Sequence, residues 1–326
     1  MPSLKNLALT AVAASLLGAV PAQAEIVWNM PTPYAEADFH TINVRKFAKD
    51  VEDATGGDLK IVVHSAGSLV KHPEIKNAIR SNQVPIGEFF LSLLTNENPV
   101  FGVDSLPFLA TDYDQAEKLW KASRPVIEKL LAKQRIKILY SVAWPPQGFY
   151  TKFDATTPGD LKGLKMRAYN ALQQKLAREL GMVPTQVEVP DIPQAFATGQ
   201  VAAMMTSPAT GASSKAWDFV KYYYDVQAWL PKNVIAVNVK AFDALPKKDQ
   251  AAVLKAAAAA EKRGWDMSKA ETVAKTKILK DNGMVVQKPS EALKAAFKAA
   301  GKVIVADWLK QGGAEAKAIL DAYNKM

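Results

Sequence analysis

Apolar residues recur along the chain in two patterns: short runs that are wholly apolar or alternate with polar residues, and longer stretches with apolar positions three and four apart. The first pattern reads as strands and the second as amphipathic helices. "EIVWNM" (25–30) and "LKIVVHSAG" (59–67) are strands, and "DFHTINVRKFAKDVEDATGG" (38–57) between them is a helix stopped by Gly56-Gly57. The unit recurs with "HPEIKNAIRSNQ" as helix and "VPIGEFFLS" as strand, then with a helix near 114–133 feeding "IKILYSVAW". After Trp144 the alternation restarts: strand 164–169, helix 170–180, a short strand near 184–188, helix 190–198 and strand 201–206. Repeated βα alternation predicts two α/β lobes, each a mixed, mostly parallel sheet flanked by helices.

Residues 246–282 carry helical spacing without interruption between Pro246 and Gly283. At 1.5 Å per residue, some 35 residues span about 50 Å, more than one small lobe requires. The stretch is expected to brace both lobes, the alternative being two helices broken at Gly264, because glycine costs about 1 kcal/mol within a helix.

The opening residues follow a different composition. Lys5 precedes a small or apolar run from Leu7 to Val20, and Ala22-Gln23-Ala24 forms an A-x-A site. This is the three-part pattern of a secretory signal peptide over residues 1–24, with cleavage expected after Ala24 and a periplasmic destination. Its apolar core is too short to span a bilayer, which takes ~20 residues. Removing it leaves 40 basic against 32 acidic side chains, a formal +8. The chain has no cysteine, which excludes disulfides, thiol nucleophiles and cysteine-ligated metal together.

Catalytic signatures are absent from the sequence. It contains no G-x-S-x-G, G-x-G-x-x-G, P-loop or H-E-x-x-H. The three histidines, at 40, 64 and 72, are not spaced as helical metal ligands, and His64 and His72 suit core or turn positions better than a metal. No catalytic residue, metal or cofactor is expected. Basic residues are interleaved with acids along the helices, as on solvated faces, so nucleic acid is not an expected partner.

Binding without chemistry is the better-supported class, and Arg167 makes it concrete. In "LKMRAY", alternation sets Leu164, Met166 and Ala168 on one face and Lys165, Arg167 and Tyr169 on the other. A charge on a strand covered by helices needs a partner. An internal Asp or Glu, a solvated strand end, or the carboxylate of a ligand gripped bidentately by the guanidinium would each supply one.

Three segments in this order, "GSLVKHPEIKNAIRSNQVPIGEF" (67–89), "DLKGLKMRAYNALQQKLARELGMVPTQVEVPDIPQAFATGQVAAMMTSPATG" (160–211) and "AWLPKNVIAVNVKAFDALPKKDQ" (228–250), resemble the periplasmic substrate-binding proteins of TRAP transporters, the DctP-type family. The resemblance covers essentially the whole mature length. It implies a two-lobe clamshell with crossing connections and a long bracing helix, divided as 25–143 plus 233–272 and 144–232 plus 273–326. It also implies that an organic acid is held in the cleft by Arg167 of "LKGLKMR" and delivered to an ion-gradient-driven permease, the receptor itself being a monomer.

By their places in the matching segments, Glu88, Ser207 and Asn233 are further ligand-contact candidates. The resemblance also bears on Gln147: sialic-acid-binding members have an arginine about twenty residues before the anchoring one, and the neutral Gln147 in that neighbourhood suits a smaller acid. Trp144, Phe149, Tyr169 and Trp229, with Asn170 beside Tyr169, complete the candidate set around the motifs, where aromatic rings would face an apolar or ring-bearing substrate body. A receptor for an ABC-type importer, or an exported enzyme acting on organic acids, are the alternatives that the export signal and two-lobe pattern leave open.

Overall fold

The computed structural model describes residues 25–326, so the signal peptide and its cleavage site lie outside the described residues. The first half runs β1 (Ile26–Pro31), α1 (Phe39–Ala54), β2 (Leu59–His64), α2 (Ile75–Arg80), β3 (Ile86–Phe90), α3 (Tyr113–Ala132) and β4 (Ile136–Ala143). The chain then crosses to a second half: β5 (Gly148–Thr151), β6 (Lys165–Ala168), α4 (Ala171–Glu179), β7 (Val183–Gln186), α5 (Ile192–Ala197), β8 (Ala203–Thr206), α6 (Pro208–Ser213) and β9 (Tyr222–Tyr224). It returns as β10 (Lys232–Asn238) and α7 (Val239–Asp243), follows α8 (Lys247–Asp281) outward, and closes with β11 (Val285–Gln287) and α9 (Glu291–Tyr323).

The strands form two layers of sheet with helices packed around them. On one side β1 pairs with β2, and β10 lies between β3 and β4; Thr32, just past β1, donates a hydrogen bond to Glu88 on β3 and ties these together. On the other side six strands run in the order β11, β9, β5, β8, β6, β7. The parallel pairs β1–β2, β6–β7 and β6–β8 are those that βα alternation predicts. The strands that follow a crossing, β5 and β10, pair antiparallel on both of their edges. The strands therefore carry more antiparallel pairing than the alternation implies, because a strand arriving from the other half has no local crossover helix to set its direction.

The two crossings lie side by side. Trp144 N–H donates to Pro231 O at 2.8 Å, Gln147 N–H to Trp229 O at 3.0 Å, and Ala228 N–H to Gln147 O at 3.0 Å. Together these bonds make a short antiparallel ladder where the chain passes between the halves.

Helix α8 is continuous through Gly264, as the bracing reading requires. Its first half is tied to α1 and β4: Asn43 Nδ2 donates to Ala260 O at 3.0 Å and Trp265 Nε1 to Ser141 O at 3.1 Å. Near its far end, Leu279 is buried among Tyr150, Val187, Phe196 and Met204 of the second half. Gly264 sits where the helix backbone presses on the sheet, and a Cβ there would lie 2.5 Å from Val142 Cγ2 and 2.7 Å from Asn43 Nδ2. We expect Gly264→Ala to destabilise the protein by about 1–3 kcal/mol through overpacking, although alanine is the better helix former by about 1 kcal/mol. Thermal unfolding checks this; an unchanged or raised melting temperature would mean that the helix can back away.

Helix α9 had no counterpart among the elements read from the sequence. Ser290 caps it by accepting from Leu293 N–H, and Leu293, Phe297, Ala300, Ile304 and Trp308 form its buried stripe. It touches both halves: Trp308 Nε1 donates to Pro99 O at 2.7 Å, while Phe297 packs on Phe149 with ring centroids 5.5 Å apart. No helix among the described residues is long and apolar enough to cross a membrane.

Candidate ligand-binding site

The carboxyl ends of β1, β3, β4, β6, β7 and β8 converge on a cavity between the two halves. From the first half come Tyr34, His72, Phe90, Leu93 and Trp144; from the second come Gln147, Arg167, Tyr169, Glu188 and Ser207, among others. An open α/β sheet leaves a crevice outside its strand ends, where loop side chains and unpaired backbone groups meet.

Arg167 is the dominant charge in this space. It is 1% exposed. Its Nε donates to Val187 O at 2.9 Å, and its guanidinium lies 5.0 Å from the ring centroid of Tyr169. Nη1 is fully buried and has no hydrogen-bond partner among the described residues. The single carboxylate that lines the cavity, Glu188, pairs with His72 rather than with Arg167. Burial pushes the guanidinium down to about 10, with the charge of Glu188 opposing the shift. It is still a cation at neutral pH, desolvated and incompletely satisfied. Among the described residues Arg167 makes no ion pair within 4.0 Å, and its burial does not suit a solvated strand end.

A rigid polar frame surrounds it. Tyr169 O–H donates to Gln147 Oε1 at 3.1 Å and accepts from Trp229 Nε1 at 3.0 Å, while Gln147 Nε2 donates to Pro145 O at 2.8 Å. The orientation of Tyr169 is thus set from the crossing segments. Ser207 begins α6, where its hydroxyl accepts from Thr210 N–H at 3.1 Å. Across the cleft, Tyr34 stands edge-on to Trp144 at 5.0 Å, and Phe90 is edge-on to Tyr169 at 5.3 Å.

Five of the residues singled out from the sequence therefore line the cavity together: Trp144, Gln147, Arg167, Tyr169 and Ser207. Four others stand one layer behind it. Asn233 Oδ1 accepts from Tyr34 O–H at 3.0 Å and Trp144 Nε1 at 3.1 Å, and its amide donates to Glu88 Oε1 at 2.8 Å. Glu88 is wholly buried beneath Asn233, with His40 Nδ1 3.2 Å away. Burial pushes its carboxyl up, but His40, Asn233 and Thr32 outweigh that and hold it below its ordinary 4.5. Asn170 caps α4 and donates to Ser92 Oγ at 2.8 Å, and Trp229 contributes through its bond to Tyr169. Phe149 is not brought to the cavity: it is a core ring on β5, packed on Phe297 and Tyr224.

Tyr34, His72, Phe90, Leu93 and Glu188 were not anticipated as lining residues. The signal that finds most of them is positional, since Tyr34, Phe90 and Glu188 sit at or just beyond the carboxyl ends of β1, β3 and β7. His72 is engaged on both nitrogens. Phe90 N–H donates to Nε2 at 3.1 Å, and Nδ1 is 3.3 Å from Glu188 Oε2. A nitrogen that accepts carries no proton, so the ring is the Nδ1–H tautomer and donates to Glu188. Burial pushes the Glu188 carboxyl up, while the bond from His72 and the charge of Arg167 together leave it below its ordinary value.

The chain matches the family model described as bacterial extracellular solute-binding protein, family 7 (DctP), over residues 32–311. Among solved structures, it is 46% identical to DctP7 of Bordetella pertussis, an extracytoplasmic solute receptor binding pyroglutamic acid, with a TM-score of 0.90 and coverage of 91% of this chain and 99% of that one. It is 45% identical to DctP6 of the same organism, also a receptor binding pyroglutamic acid, with a TM-score of 0.91 over 92% and 100% of the two chains. A marine metagenome TRAP solute-binding protein specific for pyroglutamate is 40% identical, with a TM-score of 0.91 over 93% of this chain and 99% of that one.

Proposed function

The chain belongs to the DctP family of bacterial extracellular solute-binding proteins, the receptors of TRAP transporters, and from that premise we propose that it binds a compact organic monocarboxylate, pyroglutamate foremost, and delivers it to a TRAP permease. The observation that carries the reading is Arg167: a buried guanidinium facing the cavity with Nη1 unpartnered. A buried cation without a counterion is costly to the fold, and a ligand carboxylate supplies the missing partner. Pyroglutamate is preferred because two receptors with 45–46% identity over nearly the whole chain bind pyroglutamic acid and a third, at 40%, is specific for it.

In this reading Arg167 takes the carboxylate, Gln147 and Ser207 offer polar contacts, and Trp144 and Tyr169 wall the ring. Glu88, Asn233, Asn170 and Trp229 hold those groups in place. Lobe I, residues 25–143 plus 233–272, rotates against lobe II, residues 144–232 plus 273–326, about the paired crossings at 144–147 and 228–231. The protein works as a periplasmic monomer released from its leader after Ala24.

A thermal-shift screen of residues 25–326 against dicarboxylates, hydroxy and keto acids, sugar acids, amino acids and pyroglutamate tests this. A ligand at about 100 times Kd adds ~2.7 kcal/mol, a rise of several degrees. Pyroglutamate is expected to give the largest rise; a response confined to neutral or cationic solutes would overturn the reading.

A further inference from the structure

The carboxylate of Glu188 is the feature of the cavity that the anchoring of an acid does not use. A site for an anion that also places a carboxylate on its wall pays in repulsion unless that carboxylate has a task. Its setting is built rather than incidental. Glu188 lies beyond β7 in the second half, and its Oε2 is bound by His72 of the first half. The backbone N–H of Phe90 fixes which nitrogen of His72 bears the proton. The carboxylate is thereby oriented by His72, and it remains in its acceptor-only form.

We infer that Glu188, oriented by His72, is the specificity-determining residue of this site, accepting a hydrogen bond from an N–H or O–H that the ligand carries near its carboxylate and rejecting ligands with a second carboxylate. The inference rests on the monocarboxylate reading above. Arg167 and Glu188 present opposite demands from the same lobe: one donates to an anion, the other accepts from a donor. A lactam acid satisfies both, whereas a dicarboxylate satisfies the first and sets two anions together at the second. An isostere with a ring oxygen in place of N–H offers lone pairs to a carboxylate and brings it no donor.

The test is isothermal titration of residues 25–326 with pyroglutamate, with its ring-oxygen isostere 5-oxotetrahydrofuran-2-carboxylate and with glutarate. The wild type is expected to bind the lactam at least about 100-fold more tightly than the lactone, since a site built around a donor rejects the analogue lacking it. Glutarate is expected not to register. In Glu188→Gln, whose amide both donates and accepts, the lactam-to-lactone ratio is expected to fall to within about 3-fold. Equal affinities for lactam and lactone in the wild type, a comparison that needs no variant, would overturn the inference, as would a ratio unchanged in Glu188→Gln. Loss of lactam binding in Arg167→Ala together with an unchanged ratio in Glu188→Gln would leave the receptor reading standing and remove only the role of Glu188. No binding of any of the three acids by the wild type would remove both.

Discussion

Replacing Arg167 with methionine is expected to abolish the thermal response to pyroglutamate while leaving the unliganded protein as stable as before. Truncating one member of a buried charge pair costs about 2–5 kcal/mol of binding, roughly 30- to 5,000-fold in Kd. The stability of the empty receptor should move the other way. Burial disfavours the Arg167 guanidinium enough to bring it down to about 10, and Nη1 finds no partner among the described residues. The fold therefore holds a desolvated and incompletely paired cation, and a methionine of similar length removes that cost with the charge. The empty variant is expected to melt within a few degrees of the wild type or above it. Calorimetric melts with and without pyroglutamate measure both quantities. A variant that keeps the ligand-induced rise would sink the anchoring role, and one that melts far lower when empty would mean that Arg167 is structural.

Local chemistry was legible in the sequence and distant adjacency was not. Arg167 stood out because a charge on a strand covered by helices needs a partner, and the structure sets β6 between β7 and β8. The brace α8 was legible because some 35 residues of helical spacing favour one long helix over two, and Gly264, which left a break open, turned out to be where the helix meets Val142. By contrast, His72 and Glu188 are 116 residues apart, and nothing in either segment announces the other. Strand β10 was missed for a related reason. "KNVIAVN" is buried at every position, so no alternation marks its faces, and its neighbours β3 and β4 were made a hundred residues earlier. Phe149 and Trp229 illustrate the limit of aromatic composition as a guide. Both are fully buried, one in the core and the other behind Tyr169.

Glu88 separates the two kinds of role most sharply. Its place in a matching segment made it a ligand-contact candidate, yet Asn233, Tyr34 and Trp144 stand between it and the cavity. Glu88→Ala leaves the Asn233 amide and the Thr32 hydroxyl without their acceptor, and removes the carboxylate 3.2 Å from His40, in a fully buried place. That is expected to cost about 3–5 kcal/mol of stability, a fall in melting temperature on the order of 10 °C, while the folded variant binds pyroglutamate less than about 10-fold more weakly. The pH dependence follows from the same contacts. Because the native carboxyl lies below its ordinary 4.5, its contribution is complete above that value and is lost as the pH falls through the native one. Glu88→Gln should therefore lose less stability than the wild type between pH 4.5 and stronger acid. Were Glu88 instead a direct contact, its removal would leave the melt unchanged and weaken binding by 100-fold or more, so one calorimetric melt and one titration distinguish the residue that touches the ligand from the one that holds the wall upright.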